Sequence, residues 1–319
     1  MNWGRSIKLP FGLRKAAPAP AGTLGIHIGS RSICVAHVLQ GAGPRPRARL
    51  MLVESRSAPA LRAALKRSRL GHLPCRAVLS HDEYQLVLTE AADVPPAELA
   101  AAMRWRIKDL IAFPVDEAVI DVIAAPDSAP GVTQRSVMVV VARQQTVQEH
   151  ISLLQQAGLN VLSLDVADLA VRNVVALSSF DAGGVGLLLV LSSYSTFTLY
   201  RQGALYLSRR IPIGFDDVKR AMDGDATAQD ELFVQMTPDL RRSLDYYESH
   251  HRLQAVTSLV AWPPTKSVGK LAAGLTEILG IPSHAPPVNE LMDIEADPKI
   301  PVSLALLAVG AALRQDGLT

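Results

Sequence analysis

The fold is decided by the stretch from Thr23 to Leu39, which reads TLGIHIGSRSICVAHVL. Leucine and isoleucine occupy every second position from 24 to 28, a period that predicts a half-buried strand. The turn residues Gly29–Arg31 follow, and a second strand is predicted over Ser32–Leu39. With a turn over Gly41–Pro46 and a third strand over Arg49–Glu54, this part of the chain predicts a meander of three antiparallel strands.

The same pattern returns later in the chain. Apolar strands are predicted over Val185–Leu191, Ser195–Tyr200 and Ala204–Ile213, separated by a polar turn and a Gly-containing turn. Two copies of strand, loop, strand, turn and strand indicate a duplicated architecture.

Helices are predicted between and after the two meanders. The first follows Asp93–Pro96 and ends at Phe113-Pro114. The second begins at a capping box formed by Thr146 and Glu149 and ends at Gly158. The remaining elements are strands over 137–142 and 256–262, helices over 237–251, 266–279 and 302–314, and an acidic loop over 290–298. One apolar face of the first predicted helix holds Leu99, Met103, Ile107, Leu110 and Ile111.

Length and composition predict a protein with a large core. The chain has 319 residues, of which 49% are hydrophobic and 19% charged, so two lobes are expected rather than one domain. The longest apolar runs, 185–191 and 304–313, are shorter than the ~20 residues of a membrane-spanning helix. Residues 1–22 are expected to be a flexible basic tail, and residues 1–20 lack the apolar core of a secretory signal. The sequence therefore predicts a soluble, cytoplasmic protein.

The formal charge of +2 conceals an uneven distribution along the chain. Residues 1–80 hold fourteen Lys and Arg and one acid, a net charge of +13, whereas the remainder holds 18 cations and 29 acids, a net charge of −11. Such a division favours one surface that faces an anionic partner. The basic stretch from Arg45 to Arg76 contains no Phe, Tyr or Trp on which a base could stack, which favours a membrane surface over nucleic acid. A solvated basic face is the alternative.

The two cysteines carry no metal or disulfide signal. Cys34 and Cys75 lie far apart without metal-ligand spacing, as expected of buried thiols in a reducing compartment. No metal site is predicted.

Several motifs follow one another along the chain. They are GIHIGSRS (25–32), RW (104–105) with IAFPVDE (111–117) and Asp121, QQAGL (155–159) with LDV (164–166), RIPIG (210–214) and RSLDYY (242–247). In this order they resemble the PilM family of actin-like pilus assembly proteins, most closely the MshI branch, which serves the MSHA-type pilus. The cytoplasmic domain of GspL-type secretion proteins is a near relative.

The resemblance implies an α/β, actin-like fold of the FtsA and PilM type, with two lobes that face each other across a cleft. Lobe I would span 23–180 and carry an inserted small α/β subdomain over about 85–159. Lobe II would span 181–301, and the helix over 302–319 would return to lobe I. Fold alone does not fix function.

Active members of the actin-like superfamily hold ATP between two phosphate loops, with a carboxylate near Mg²⁺ and a Gly-Gly turn against adenosine. By resemblance, the phosphate loops of this chain would contain Gly29, Ser30, Ser32, Ser193, Ser195 and Thr196. His27 stands where the family has aspartate, and Cys34 at its lysine-like position. Val190-Leu191-Ser192 replaces Asp-x-Gly, and Trp262-Pro263-Pro264 replaces Gly-Gly, removing two N–H groups and adding bulk where the purine would lie.

These substitutions predict a protein that is not an enzyme and needs neither nucleotide nor metal. His27 has no acid near it in sequence and is expected to be a packed or solvated strand residue. There are three alternatives. The first is a protein that still binds or hydrolyses ATP, and the second is a GspL-like secretion component. The third is a lipid-binding or nucleic-acid-binding protein without pilus partners.

The family resemblance also implies the partners. A single-pass inner-membrane protein similar to PilN would insert its short cytoplasmic tail in a groove beside the subdomain, linking the pilus complex to motor components at the membrane. Candidate contacts are Arg104, Trp105, Lys108 and Phe113. Trp105 would be the anchor, unless it simply faces the core. A second expectation is that the tail over residues 1–15 touches anionic lipid, because four cations alternate there with apolar residues.

Overall fold

The structure, a computed structural model, describes residues 22–39, 45–95, 97–124, 136–251, 253–297 and 300–315. The predicted basic tail, apart from Gly22, and most of the turn over 41–46 lie outside these residues.

Fourteen strands are present in the described residues. They are β1 (Thr23–Ile28), β2 (Ile33–Leu39), β3 (Arg47–Val53), β4 (Pro74–Leu79), β5 (Tyr84–Glu90), β6 (Ala118–Ala124), β7 (Ser136–Arg143), β8 (Asn160–Val166), β9 (Val185–Val190), β10 (Ser195–Arg201), β11 (Ala204–Ile211), β12 (Ser258–Trp262), β13 (Ser283–His284) and β14 (Asp293–Glu295).

Eight α-helices accompany them in the same ranges. They are α1 (Ala58–Ser68), α2 (Leu99–Ile107), α3 (Gln144–Gln156), α4 (Ala167–Val175), α5 (Phe215–Met222), α6 (Ala226–His251), α7 (Lys266–Leu279) and α8 (Val302–Leu313). No helix in the described ranges is both long and apolar enough to cross a membrane.

The chain divides into two compact units. Among the described residues, unit 1 holds 22–124, 136–174 and 292–315, and unit 2 holds 175–251 and 253–291. The predicted lobe boundaries after residues 180 and 301, and the subdomain over 85–159, stay predictions. The compact units change over at 174/175 and 291/292.

Unit 1 is built on a six-stranded sheet with the order β14-β3-β2-β1-β4-β8. The predicted meander is confirmed, because β2 pairs antiparallel with both β1 and β3. Strands β1, β4 and β8 are parallel to one another, so their carboxyl ends meet at one edge of the sheet. The first predicted phosphate loop begins at that edge.

Helix α8 covers this sheet with a wholly apolar inner surface. Every residue from Ala305 to Leu313 is buried, and each large aliphatic side chain among them contributes about 1.5 to 3 kcal/mol relative to exposure. Two glycines let main chains approach closely. A Cβ on Gly25 of β1 would lie 1.7 Å from the Ala308 carbonyl oxygen, and one on Gly310 would lie 1.9 Å from that of Ala170.

A smaller sheet with the order β5-β7-β6 completes unit 1. Helix α2 packs Leu99, Met103 and Ile107 against Val139 and Val141 of β7. Helix α2 is shorter than predicted and ends at Ile107. The chain turns back there, and the predicted apolar position Leu110 is 59% exposed.

Unit 2 repeats the meander in a sheet ordered β11-β10-β9-β12-β13. Strand β10 pairs antiparallel with β9 and β11, which confirms the predicted duplication of the strand pattern. Helix α7 has the predicted bounds, because the Thr265 side chain accepts a hydrogen bond from the Val268 amide at its start and Gly280 has φ +70° at its end.

Three local predictions are wrong. The capping box of Thr146 and Glu149 does not form, because β7 leads directly into α3 at Gln144 and places Thr146 inside the first turn. Helix α6 begins at Ala226 rather than 237 and contains Pro238. The acidic segment 290–298 is not only a loop, because β14 pairs in parallel with β3.

Candidate functional site

The first predicted phosphate loop is a closed turn at the end of β1. The Gly29 amide donates a hydrogen bond to the Ser32 carbonyl oxygen over 2.9 Å. That amide is therefore engaged within the turn rather than directed at a ligand. The turn brings Gly29, Ser30 and Ser32 together as predicted, with Ser30 exposed and the other two half-buried.

His27 is a packed strand residue in the centre of a buried polar network. Its side chain is only 3% exposed, and its Nε2 lies 2.8 Å from Ser80 Oγ. Burial lowers the pKa of His27 to about 4, although the nearby Glu83 carboxylate acts in the opposite direction. Its imidazole is therefore neutral at pH 7 and is no substitute for a metal-binding carboxylate.

The network continues through Glu83, which the sequence did not reveal. Glu83 Oε2 accepts a hydrogen bond from the Ser80 amide, and Glu83 Oε1 lies 2.8 Å from Nε2 of buried His150. Burial would raise the pKa of Glu83, but the His150 hydrogen bond and the Ser80 amide lower it overall. An acid thus reaches the surroundings of His27 through tertiary structure, although none lies near it in sequence.

A second buried group lies beside this network. The Tyr84 hydroxyl donates to the Asp168 carboxylate, and the Asp168 amide donates to the Tyr84 hydroxyl over 3.2 Å. His81 Nε2 lies 3.9 Å from the same carboxylate. The signal for it in the sequence is the polar run HDEY (81–84) between two apolar strands. Within the described ranges, no three His, Cys, Asp or Glu side chains are arranged to hold a metal ion.

Both cysteines are buried free thiols. Burial raises the pKa of Cys34 and of Cys75 to about 12, so each is a neutral thiol at pH 7. Cys34 supplies no positive charge at the position where the family places a lysine-like residue.

Main-chain hydrogen bonds within unit 2 close the second predicted phosphate loop. The Leu191 amide donates to the Tyr194 carbonyl oxygen, and the Phe215 amide donates to the Leu191 carbonyl oxygen. A Cβ on Gly214 would lie 2.3 Å from the Ser192 carbonyl oxygen, so the main chain at Gly214 packs directly on the loop.

The three predicted side chains of this loop have different environments. Ser193 is exposed, whereas Ser195 and Thr196 are buried in β10. The Ser195 hydroxyl donates to the Ile213 carbonyl oxygen over 2.6 Å. Ser195 therefore has a structural role within the sheet of unit 2.

The segment Trp262-Pro263-Pro264 differs from the prediction in one respect. The Trp262 side chain is 1% exposed, and its Nε1 donates to the Pro286 carbonyl oxygen over 2.8 Å. The expectation that its bulk fills a purine site is wrong, because the indole ring lies in the interior of unit 2. The two prolines still remove N–H groups from the loop before α7.

The predicted partner-binding residues on and after α2 divide into structural and exposed groups. The Arg104 guanidinium donates to the Val115 and Ala118 carbonyl oxygens. Phe113 is half-buried under the Arg143 guanidinium, whose Cζ lies 4.2 Å from the ring centroid. Trp105 is 71% exposed, so the alternative that it faces the core is wrong. Lys108 is also exposed.

Comparisons with solved structures show the fold. A structure described as "PilM-PilN type IV pilus biogenesis complex" matches with TM-score 0.68 and 22% identity, over 95% of this chain and 100% of that one. The cytoplasmic domain of EpsL, an inner-membrane component of the type II secretion system of Vibrio cholerae, matches with TM-score 0.51 and 12% identity, over 93% and 98%. The fold is therefore actin-like, as predicted.

Part of the chain is also similar to PilM. The family model described as "Type IV pilus assembly protein PilM" matches residues 72–214. This segment contains the polar network from Ser80 to Asp168, helix α2 and the closed loop before β10. No curated protein matches the chain.

Proposed function

We propose that this chain is a non-catalytic, PilM-like scaffold of type IV pilus assembly that binds the cytoplasmic tail of a single-pass, PilN-like inner-membrane protein. It would act on the cytoplasmic side of that membrane. The proposal is carried by one observation: the PilM-matched segment presents an exposed tryptophan, Trp105, on a helix whose other face is anchored in a core.

The surface around Trp105 suits a peptide. Leu110, five residues further along the chain, is a second large apolar side chain and is 59% exposed. Lys108 lies between the two in sequence and is an exposed cation. An aromatic anchor with a polar rim is a common arrangement at small interfaces, where a few side chains carry most of the binding free energy. The hydrogen bonds of Arg104 to main-chain carbonyl groups hold the chain beyond the helix in place. We therefore assign Arg104 to support rather than to contact.

The loops support the non-catalytic half of the proposal. Catalysis by an actin-like protein needs free backbone amides for phosphate and a carboxylate for Mg²⁺. Here the Gly29 amide is engaged by Ser32, and His27 is a buried imidazole bound to Ser80. Both features of the first loop favour a protein without ATPase activity.

The finer assignment to the MSHA-type pilus, in the MshI branch, rests on the resemblance of the ordered motifs from GIHIGSRS (25–32) to RSLDYY (242–247). A type II secretion role is the second candidate, because the EpsL domain shares the fold. The match of residues 72–214 to the PilM family favours the pilus.

The test is binding of a synthetic PilN-like cytoplasmic tail, measured by calorimetry with the full chain. Trp105→Ala should weaken binding about thirtyfold, the effect of losing a hot spot worth ~2 kcal/mol. Val234→Ala is the matched control, because it removes a 73% exposed apolar side chain from unit 2. Circular dichroism should show both variants folded.

Two results would count against the proposal. If the wild type binds no such tail, the scaffold function loses its main support. If the folded Trp105→Ala variant binds as tightly as the wild type, only the placement of the binding surface is wrong.

A further inference from the structure

Helix α1 presents an outer face in which every charged group is a cation. Leu61 and Leu65 are buried against unit 1, while Arg62, Lys66 and Arg67 are exposed on the opposite side. The other exposed residues of the helix are a proline and an alanine. This separation of faces is the usual pattern of a surface helix, but with one sign of charge only.

Exposed cations at both ends extend the face. Arg56 precedes the helix and Arg69 ends it, and the sequence has no Asp or Glu between Glu54 and Asp82. Among the residues that the structure describes, no acid forms an ion pair with Arg56, Lys66, Arg67 or Arg69. Arg62 donates a hydrogen bond to the Gln156 carbonyl oxygen and keeps its charge.

The neighbouring basic strand is different. Arg47 and Arg49 of β3 lie 3.7 Å and 3.3 Å from the carboxylates of Asp293 and Glu295 on β14. The acidic segment of the chain thus neutralises β3 and leaves α1 uncompensated. In the described residues, α1 therefore keeps a net positive charge on its exposed side.

Arg69 adds an independent observation. It has φ +58° and ψ +32°, the left-handed conformation in which glycine is the usual residue at the end of a helix. Arginine is disfavoured there relative to glycine. Its presence is consistent with a use for the side chain at the edge of this face.

We propose that the outer face of α1, formed by Arg56, Arg62, Lys66, Arg67 and Arg69, docks on an anionic lipid bilayer. A bilayer needs charge complementarity but no pocket, which fits cations spread along a convex helix. Nucleic acid fits less well, because no Phe, Tyr or Trp occurs from Arg45 to Arg76 to stack on a base. This inference goes beyond the pilus function and does not require the PilN-like partner.

The test is flotation of the full chain with vesicles of 30% phosphatidylserine in phosphatidylcholine, compared with phosphatidylcholine alone. Wild type should float only with the anionic vesicles and should be released by 0.5 M salt. Each cation near such a surface is worth about fivefold in partitioning, so Arg62→Gln/Lys66→Gln/Arg67→Gln should lower it about a hundredfold.

Two further variants separate this face from other causes. Lys219→Gln/Arg220→Gln/Arg241→Gln removes three exposed cations from unit 2, and it should float like the wild type. Arg69→Gly should weaken partitioning severalfold while its melting temperature stays equal or rises, because glycine adopts a positive φ more readily. Such a separation excludes an unfolding artefact.

A variant of the N-terminal tail identifies the competing source of charge. If Arg5→Gln/Lys8→Gln/Arg14→Gln/Lys15→Gln abolishes flotation and the folded α1 variant keeps all of it, the proposal is overturned. It is also overturned if the wild type does not float with anionic vesicles. A third contrary result is an α1 variant that floats like the wild type but no longer binds a 30-base-pair DNA duplex.

Discussion

Nε2 of His27 and Oγ of Ser80 lie 2.8 Å apart, which joins the end of β1 to the residue that follows β4. The hydrogen bond fixes a neutral imidazole at the end of β1, beside the first predicted phosphate loop. His27 is one of the substitutions from which the sequence predicts that nucleotide is not bound.

We expect Mg-ATP to bind with a dissociation constant well above 1 μM, which corresponds to less than about 8 kcal/mol of binding free energy. The reason is that the Gly29 amide is engaged in its own turn and His27 offers no oxygen ligand. Calorimetric titration of the full chain measures it. A dissociation constant at or below ~1 μM would contradict the prediction that the nucleotide site is degenerate.

The stability of the protein should fall as the pH decreases from about 6.5 to 4, in part because of His27. Its pKa is about 4 in the folded protein and about 6.5 in the unfolded chain, so the unfolded chain binds the proton first. Over this pH window, protonation of His27 in the unfolded chain lowers the free energy of unfolding by about 3 kcal/mol.

His27→Gln removes this titration and should flatten the dependence of unfolding free energy on pH, measured by urea denaturation at pH 4.5, 5.5 and 7. His72→Gln, which removes an exposed imidazole from the same unit, should keep the wild-type slope. Equal slopes in all three proteins would show that His27 is not the group responsible.

Asp121 should have the opposite pH dependence. Burial, assisted by the Asp165 carboxylate, raises its pKa to about 6, although the Val122 amide and Arg314 partly offset the effect. The folded carboxyl keeps its proton to a higher pH than the unfolded one, so its contribution to stability decreases as the pH rises from about 4 to 6.

Asp121→Asn should therefore raise the unfolding free energy by about 2 kcal/mol at pH 7 and leave it unchanged near pH 4. Denaturant titration at the two pH values measures the difference. Asp116→Asn, at an exposed position, should change neither. A destabilised Asp121→Asn at pH 7 would mean that ionised Asp121 is stabilised by Arg314 more than it is penalised by burial.

Gly310→Ala should destabilise the protein by about 3 kcal/mol or more, because the new methyl would lie 1.9 Å from the Ala170 carbonyl oxygen and must displace backbone. Gly269→Ala in α7 is the control, since nothing lies within 4 Å of its added Cβ. It should stabilise by up to about 1 kcal/mol. Thermal unfolding compares the two, and similar melting temperatures would contradict the close packing of α8.

The elements that the sequence predicted correctly are those with local causes. The two meanders follow from alternation and turn residues within about 30 positions, and α7 is bounded by Thr265 and Gly280, whose effects act within one turn. The capping-box pattern of Thr146 and Glu149 failed because a strand running directly into α3 determined where that helix begins. The substitutions in the two predicted phosphate loops were likewise visible in the sequence, because each concerns the identity of a single residue.

The candidate sites are formed by residues that are distant in sequence and come together only when the chain folds. Glu83 and His150 reach His27 because β1, β4 and α3 pack together, and no periodicity encodes that contact. The exposure of Trp105 depends on which face of a short helix the β5-β7-β6 sheet covers. The basic first quarter was visible in the sequence. The difference between β3 and α1 was not, because Asp293 and Glu295 pair with Arg47 and Arg49 through a strand pairing that the chain makes only when folded.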